Sequence, residues 1–421
     1  MSDPKTRTRR KSKGDTIAAL DIGSSKICCL IARRFGQSEP QVMGLGHHIS
    51  HGVRAGNIID MEAAQNAINA TLDAAEDMAD EKIQRVVVNF SGGRLTSHHE
   101  RLTVPLNGRE AADEDIQRLF GQGQHRALDD ESELLHLVPT DFGIDGQGNI
   151  RDPRGMAGEN LSANLHMVTA QTAPIRTLLA ALGRCNLQAE HVVISPYASG
   201  LSCLVEDEMS LGATVIDMGG GTTTIAVFQS GQMVHADSIP LGGIHITQDI
   251  ARVLTTPLTH AERLKTLFGS AYASPSDDKE IIDVPQVGEE APELANHIPK
   301  SQLIRIIQPR LEETFEYVNT RLQAASLGAH LTRRIVLTGG ACQMPGVREM
   351  AGRLLDKQAR IGRPLRLQGL SDTMSGPAFA TTAGLLAFAV NPEAALPRFG
   401  QDLSGGEGLV AGVLNWLRNF V

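Results

Sequence analysis

The chain has 421 residues, enough for roughly two to four domains with ample core. Its hydrophobic content of 41% and charged content of 21% are ordinary for a globular protein. A net charge of −9 excludes a general nucleic-acid binder.

Residues 1–14 (MSDPKTRTRRKSKG) carry six Lys or Arg, with no apolar core after them. Neither a secretory signal nor a folded element is expected there. Two readings stay open for this basic tail: a solvated segment, or one attracted to an anionic membrane. Residues 15–35 read as strand, hairpin turn and strand, and residues 42–60 as a further strand and turn. A helix is expected over 61–80, where Ala63, Ala67, Ile68, Leu72, Ala75 and Met78 recur near helical spacing. A strand over 84–90 closes on Ser91-Gly92-Gly93. From there to about residue 168 the pattern changes to short strands, turns and one polar helix near 110–120. This reads as an inserted α+β module. Residues 172–184 return to helix and HVVISP (191–196) to strand.

The second half restarts at residue 213 with another strand–turn–strand. THAERLKTLF (259–268) predicts a helix with Thr259 as its N-cap. Residues 270–299 are polar and loop-rich. Residues 303–327 predict a long helix with Leu311, Phe315, Val318 and Leu322 on one face, and Pro309 near a break or in a first turn. RIVLTGG (334–340) reads as a strand running into a Gly-Gly turn. AFATTAGLLAFAV (378–390) is too short and too rich in small residues to span a bilayer, so a buried helix is expected. A Pro/Gly/Ser linker (396–407) precedes a last amphipathic segment (408–421). Five cysteines, without a CxxC spacing, read as buried reduced thiols.

The chemistry concentrates in two matching stretches, LDIGSSKICCLI (20–31) and IDMGGGTTTIAV (216–227). Each ends an apolar strand on an Asp, makes a Gly/Ser/Thr turn and re-enters an apolar strand. Such turns let backbone N–H groups approach a phosphate with no Cβ in the way. Gly23, Ser24 and Ser25 form the first turn, and Lys26 adds a charge. Gly219, Gly220, Gly221 and Thr222 form the second. Asp21 and Asp217 are expected to face each other across a cleft, where two carboxylates suit Mg²⁺ held largely through water. The chain has neither a Walker P-loop nor a GxGxxG that opens a helix. A third element, LTGGACQMPGV (337–347), can present Thr338, Gly339 and Gly340 to a base and ribose.

Hairpin, hairpin, then strand-Gly-Gly is the motif order of the actin/Hsp70/sugar-kinase ATPase superfamily. Within it the chain resembles the FtsA family of bacterial cell-division proteins over about residues 15–395 and the C-terminal tail. The stretches that carry the resemblance are VIDMGGGTTTIAVF (215–228), RRIVLTGGACQMPGV (333–347), SGPAFATTAGLLAFA (375–389) and SQLIRIIQPRLEETFEYV (301–318). The resemblance implies an α/β actin-like fold with ATP between two related lobes. The first lobe is then 15–84 with 169–206, and the second 207–245 with 331–395. An SHS2-type subdomain is inserted at 85–168, and implies self-assembly and contacts with later division proteins. Glu262 and Lys265 match the helix that brackets the adenosine. The subdomain 246–330 matches the part that receives the C-terminal peptide of FtsZ, and Arg310 its contact region.

In GLVAGVLNWLRNFV (408–421), Leu409, Val410, Val413, Leu414, Trp416, Leu417, Phe420 and Val421 fall on one side of a helix. At about 1.5 Å per residue it is roughly 20 Å long, too short to cross a membrane. Lying in the membrane interface is the preferred reading, and docking in the protein's own core the alternative. The expectation is an ATP-binding adaptor that polymerises at the cytoplasmic face of the inner membrane, at the division septum, and tethers FtsZ filaments there. Hydrolysis is expected to be slow at most, since no base is obvious in HVVISPYASG (191–200). The competing readings are an actin-like ATPase of a pilus or secretion platform and a sugar or acid kinase. Liposome co-sedimentation separates them: with ATP, the full chain is expected to pellet and a truncation ending at Leu396 to stay soluble. Equal pelleting would refute the tail assignment.

Overall fold

Apolar runs broken by Gly-rich turns build two five-stranded sheets of the same topology. The computed structural model describes residues 15–34, 40–127, 131–288, 296–325, 327, 333–365, 374–390 and 392. In the first lobe β1 (Asp15–Ile22), β2 (Lys26–Arg34) and β3 (Gln41–Ile49) form an antiparallel meander. A short pair, β4 (Val53–Arg54) and β5 (Asn57–Ile58), leads to α1 (Met61–Ala79). The Asp60 carboxylate accepts from the N–H groups of Glu62 and Ala63 and so starts this helix. Next comes β6 (Arg85–Phe90), parallel to β1.

The chain then leaves the lobe for an insert with its own sheet. Its elements are β7 (Thr96–Pro105), α2 (Asp113–Ala127), β8 (Ser132–Ile144), β9 (Gln147–Ile150) and β10 (Asn160–Gln171), in sheet order β7-β10-β8-β9. It returns through α3 (Thr172–Arg184) to β11 (Gln188–Ile194), which completes the order β11-β6-β1-β2-β3. Two helices, α4 (Ser195–Cys203) and α5 (Glu206–Leu211), lead to the second lobe.

There β12 (Ala213–Met218), β13 (Thr223–Gln229) and β14 (Gln232–Ile239) repeat the meander. Between them and the next core strand lie α6 (Gly243–Leu254), α7 (Leu258–Phe268), the hairpin β15 (Ile281–Val284) and β16 (Asn296–Pro299), and α8 (Lys300–Ala324). The lobe continues with β17 (Arg334–Thr338), α9 (Val347–Leu355) and β18 (Gln358–Ile361). Its order, β14-β13-β12-β17-β18, repeats that of the first sheet, with the parallel pairs in the same places.

The last helix among the described residues, α10 (Ala380–Val390), follows the second sheet in sequence but buries Leu385, Leu386 and Phe388 in the core of the first lobe. It crosses α4 at backbone contact. A Cβ on Gly384 would lie 1.7 Å from the Ala198 carbonyl oxygen, and one on Gly200 of α4 would lie 2.4 Å from the Phe228 ring. Glycine at these positions sets how closely the helix pair and the second sheet approach.

The insert reaches the other lobe. His99 Nε2 donates to the Val234 carbonyl at 2.7 Å, and the Ala236 N–H donates to Ser97 Oγ at 3.2 Å. These side chains cover the outer edge of β14, which would otherwise be open to pairing. Behind them His166 stacks on His99 at 4.9 Å, and His136 packs edge-on to Tyr197 at 5.0 Å. Burial lowers the His136 pKa to about 3 and that of His235 to about 4, so both are neutral at neutral pH.

Three sequence expectations change. Thr259 does not cap α7, which starts at Leu258 behind Pro257, whose φ of −56° already sets the entry. Pro309 lies inside α8, which continues through it. Leu303, Ile304, Ile307, Leu311, Phe315, Val318 and Leu322 are all buried along that helix. At about 1.5–3 kcal/mol each, their burial outweighs a proline penalty of about 3 kcal/mol. The stretch 270–299 holds the β15–β16 hairpin rather than loop alone. As expected, all five cysteines are buried and free.

Gly384→Ala forces α10 from α4 and is expected to cost about 1–3 kcal/mol, read as a lower thermal midpoint. Gly183→Ala in α3 is the contrast, since its Cβ meets nothing within 4 Å among the described residues. It is expected to gain about 0.5–1 kcal/mol. A loss of equal size at both positions would contradict the packing account.

Candidate functional site

The two hairpins hold their acids at the same register. Asp21 pairs with Cys28 across the first and Asp217 with Thr224 across the second. The same bond closes both turns: the Gly23 N–H donates to the Lys26 carbonyl at 3.1 Å, and the Gly219 N–H to the Thr222 carbonyl at 2.9 Å. The turns also meet. A Cβ on Gly220 would lie 2.6 Å from Ser25 Cβ, and one on Gly221 would lie 2.4 Å from Ser24 Oγ. Glycine is therefore what lets the two lobes bring their turns together.

Beneath them lies a cleft of about 430 Å³. Asp21, Gly23, Ser24, Ser25, Lys26, Asp217, Gly219, Gly220, Gly221, Thr222, Glu262, Lys265, Gly339 and Gly340 all line it. Thr338 does not. It is fully buried opposite Asp217 in the β12–β17 pair, and its hydroxyl lies within donating distance of the Gly362 and Pro377 carbonyls. Gly339 has φ +86°, and a Cβ there would lie 2.4 Å from Asp217 Oδ1. On the far wall Lys265 Nζ donates to the Gly243 carbonyl, to Thr247 Oγ1 and to Glu262 Oε2 at 3.0, 2.9 and 2.7 Å. The first turn of α6 is fastened to the second hairpin, with the Gly243 and Ile244 N–H groups donating to the Gly219 and Gly220 carbonyls.

Both acids are buried. Ser199 Oγ and Thr381 Oγ1 donate to Asp217 Oδ2 at 2.5 and 2.9 Å, and Thr382 Oγ1 donates to Asp21 Oδ2 at 3.1 Å. Burial raises the Asp21 pKa to about 6; Lys26 opposes this and the Asp217 charge adds to it. Burial also raises Asp217, against the hydrogen bonds from Ser199 and Thr381. The Lys26 ammonium is pushed down by burial and held up chiefly by Asp21. Its Nζ has no hydrogen-bond partner among the described residues and sits 3.2 Å from the centroid of the Phe379 ring. Among the described residues no three His, Cys, Asp or Glu side chains gather as a metal-holding cluster.

Several residues at the site were not singled out in the sequence. Asn89 Oδ1 accepts from the Ile22 N–H at 2.7 Å, and its Nδ2 donates to Ser195 Oγ at 3.1 Å. Ser199, Phe379, Thr381 and Thr382 complete the set. The available signal was polarity inside apolar runs, Asn in VVVNF and Thr-Thr in AFATTAGLLAFAV. Arg310 lies away from the cleft on α8, where its Nε donates to Asp249 Oδ2 at 2.6 Å and its guanidinium also pairs with Glu313. Leu409, Val410, Val413, Leu414, Trp416, Leu417, Phe420 and Val421 lie outside the described residues, as do segments 1–14 and 396–407. No helix among the described residues is long and apolar enough to cross a membrane.

Asp21 carries a pH signature. Its folded pKa of about 6 lies above the ordinary 3.8, so the folded state binds its proton first. Stability from this group is complete below 3.8 and is lost as pH rises through 6. Asp21→Asn removes that loss, on the order of 3 kcal/mol by the size of the shift. The ligand-free variant is expected to unfold at higher temperature than wild type at pH 7–8, with the gap closing near pH 4. A gap that widens on acidification would contradict the burial account.

Residues 214–384 match the family model described as cell division protein FtsA, and residues 92–169 match that of the SHS2 domain inserted in FtsA. A cell division protein FtsA from Rhizobium meliloti (strain 1021) is 40% identical over 395 residues, covering 91% of this chain and 89% of its own. One from Agrobacterium fabrum (strain C58 / ATCC 33970) is 36% identical over 429 residues, covering 99% and 97%. Among solved structures, a PilM–PilN type IV pilus biogenesis complex superposes with TM-score 0.64 at 16% identity, over 89% of this chain and 99% of that one. MreB5 of Spiroplasma citri bound to ADP superposes with TM-score 0.54 at 16% identity, over 90% and 96%. At that identity both likenesses speak for the fold alone. With two matched family models and near full-length relatives on this two-lobed frame, the chain belongs to the FtsA family, the actin-like cell-division ATPases, which bind nucleotide and hydrolyse it slowly at most.

Proposed function

We propose that the cleft binds ATP with Mg²⁺ and that the bound state governs assembly of a membrane-attached filament of the division ring. One observation carries this reading. Two phosphate-type turns, two buried carboxylates and a buried ammonium with no hydrogen-bond partner among the described residues all line one cleft. The backbone of residues 24–25 and 220–222 and the hydroxyls of Ser24, Ser25 and Thr222 supply donors for a polyphosphate. Lys26 supplies a counter-charge. Asp21 and Asp217 fit Mg²⁺ that keeps most of its waters, and when bound it neutralises phosphate charge. Gly339, Gly340 and the Glu262–Lys265 pair flank the base and ribose, with Thr338 supporting that turn from beneath. Where α4 meets the cleft, Ser195 and Asn89 offer a hydroxyl and an amide, neither of them a general base near neutral pH. This supports slow turnover and a nucleotide that sets conformation.

The amphipathic pattern of 408–421 supports attachment to the cytoplasmic face of the inner membrane at the septum. One such helix binds reversibly, and a filament that joins many gains avidity. The subdomain 246–330 receives the FtsZ C-terminal peptide, and the SHS2-type insert meets later division proteins. Arg310 already pairs with Asp249 and Glu313, so a peptide carboxylate that engages it competes with both.

Calorimetry with MgATP tests the cleft. Lys26→Ala is expected to weaken binding at least tenfold, about 1.4 kcal/mol; unchanged affinity would sink the assignment. Recruitment to liposomes tests the tether. FtsZ is expected to co-pellet with the full chain, and FtsZ lacking its C-terminal peptide to remain in solution. Recruitment indifferent to the peptide would remove the adaptor role.

A further inference from the structure

We propose that Phe379 is a positioning residue for nucleotide phosphate, its ring holding the Lys26 ammonium against the cleft wall. The proposal rests on the assignment of the cleft to ATP and deepens it. Phe379 heads a four-residue segment that touches every charged group of the phosphate site. Its ring centroid lies 3.2 Å from Lys26 Nζ. Thr381 donates to Asp217 and Thr382 to Asp21. The chain just before it is tied to the second lobe: the Pro377 carbonyl accepts from the Gly339 N–H at 3.1 Å and from the Thr338 hydroxyl at 3.2 Å. The chain just after it is α10, seated in the core of the first lobe. The ring itself is half-buried, with His47 packed edge-on at 6.5 Å.

The choice of an aromatic partner has a chemical consequence. A buried ammonium needs compensation, and a carboxylate at contact distance would supply it by taking up N–H donors. A ring face stabilises the same charge electrostatically and accepts no conventional hydrogen bond. The donors of Lys26 therefore stay available to phosphate oxygens, while its long side chain keeps one position. Asp21 and Asp217 lie close enough to act on its charge but make no hydrogen bond to it among those found. Preorganisation of this kind lowers the ordering cost of binding. It acts only on ligands whose phosphates reach Lys26, which makes the effect selective for the polyphosphate over the nucleoside end.

The test is competition against a fluorescent ATP analogue, with the full chain, Mg²⁺, and ATP, ADP or AMP as competitor. Phe379→Leu is expected to weaken ATP and ADP about tenfold and to leave AMP within about twofold. Phe379→Tyr, which keeps a ring face, is expected to restore ATP affinity. In a Lys26→Ala background Phe379→Leu is expected to add no further loss. If Phe379→Leu does not fold, Phe379→Met takes its place with the same expected losses. Equal losses for ATP and AMP, or a loss undiminished without Lys26, would overturn the positioning role. If Lys26→Ala weakens ATP while Phe379→Leu does not, this proposal fails and the cleft assignment stands. If Lys26→Ala has no effect, both fail.

Discussion

Two carboxylates and one ammonium are buried together at the junction of two lobes, and much of the structure follows from keeping them there. An unpaired buried charge costs several kcal/mol. Asp21 and Asp217 raise each other's cost by repulsion, so each needs its own donors. Ser199, Thr381 and Thr382 supply them, and Lys26 balances part of the charge. The remaining imbalance is what the proposed binding of a metal and a polyphosphate rests on.

The same requirement ties the lobes to each other. Thr381 and Thr382 are neighbours on one helix, yet they serve acids from different sheets. That helix must sit where both sheets end, and Gly384 permits it by allowing backbone contact with α4. The insert adds a second tie. It grows out of the first lobe beyond Ser91, whose carbonyl accepts from Ser238 Oγ of β14 at 2.8 Å. Ser97 and His99 then cover the edge of that strand. Through β14 the second lobe thus meets both the end of β6 and the insert, at hydrogen bonds that are exposed or partly buried.

The periodic and duplicated parts of this design were legible in the sequence. Both hairpins, the Gly-Gly turn, the long helix with Leu311 and Phe315 inward, and the inserted module depend on local pattern. The exceptions have local causes overruled by packing. Pro309 reads as a helix breaker, but the apolar face around it contributes more than the lost hydrogen bond costs. Thr259 reads as a cap, but Pro257 had already set the backbone.

What the sequence determined was the list of parts: two Asp-x-Gly turns in matching order, a Lys after the first, and a strand ending in a Gly-Gly turn. Their order along the chain carries that information because strand, turn and strand are contiguous. Tertiary structure alone decided which other groups complete the site. Asn89, Ser199, Phe379, Thr381 and Thr382 come from three other regions of the chain, and no spacing rule links them to Asp21 or Asp217. It also decided that Thr338 would support the turn from beneath instead of facing the cleft. Both outcomes depend on which side chains meet once two sheets and two crossing helices are packed, and that is a property of contact in space.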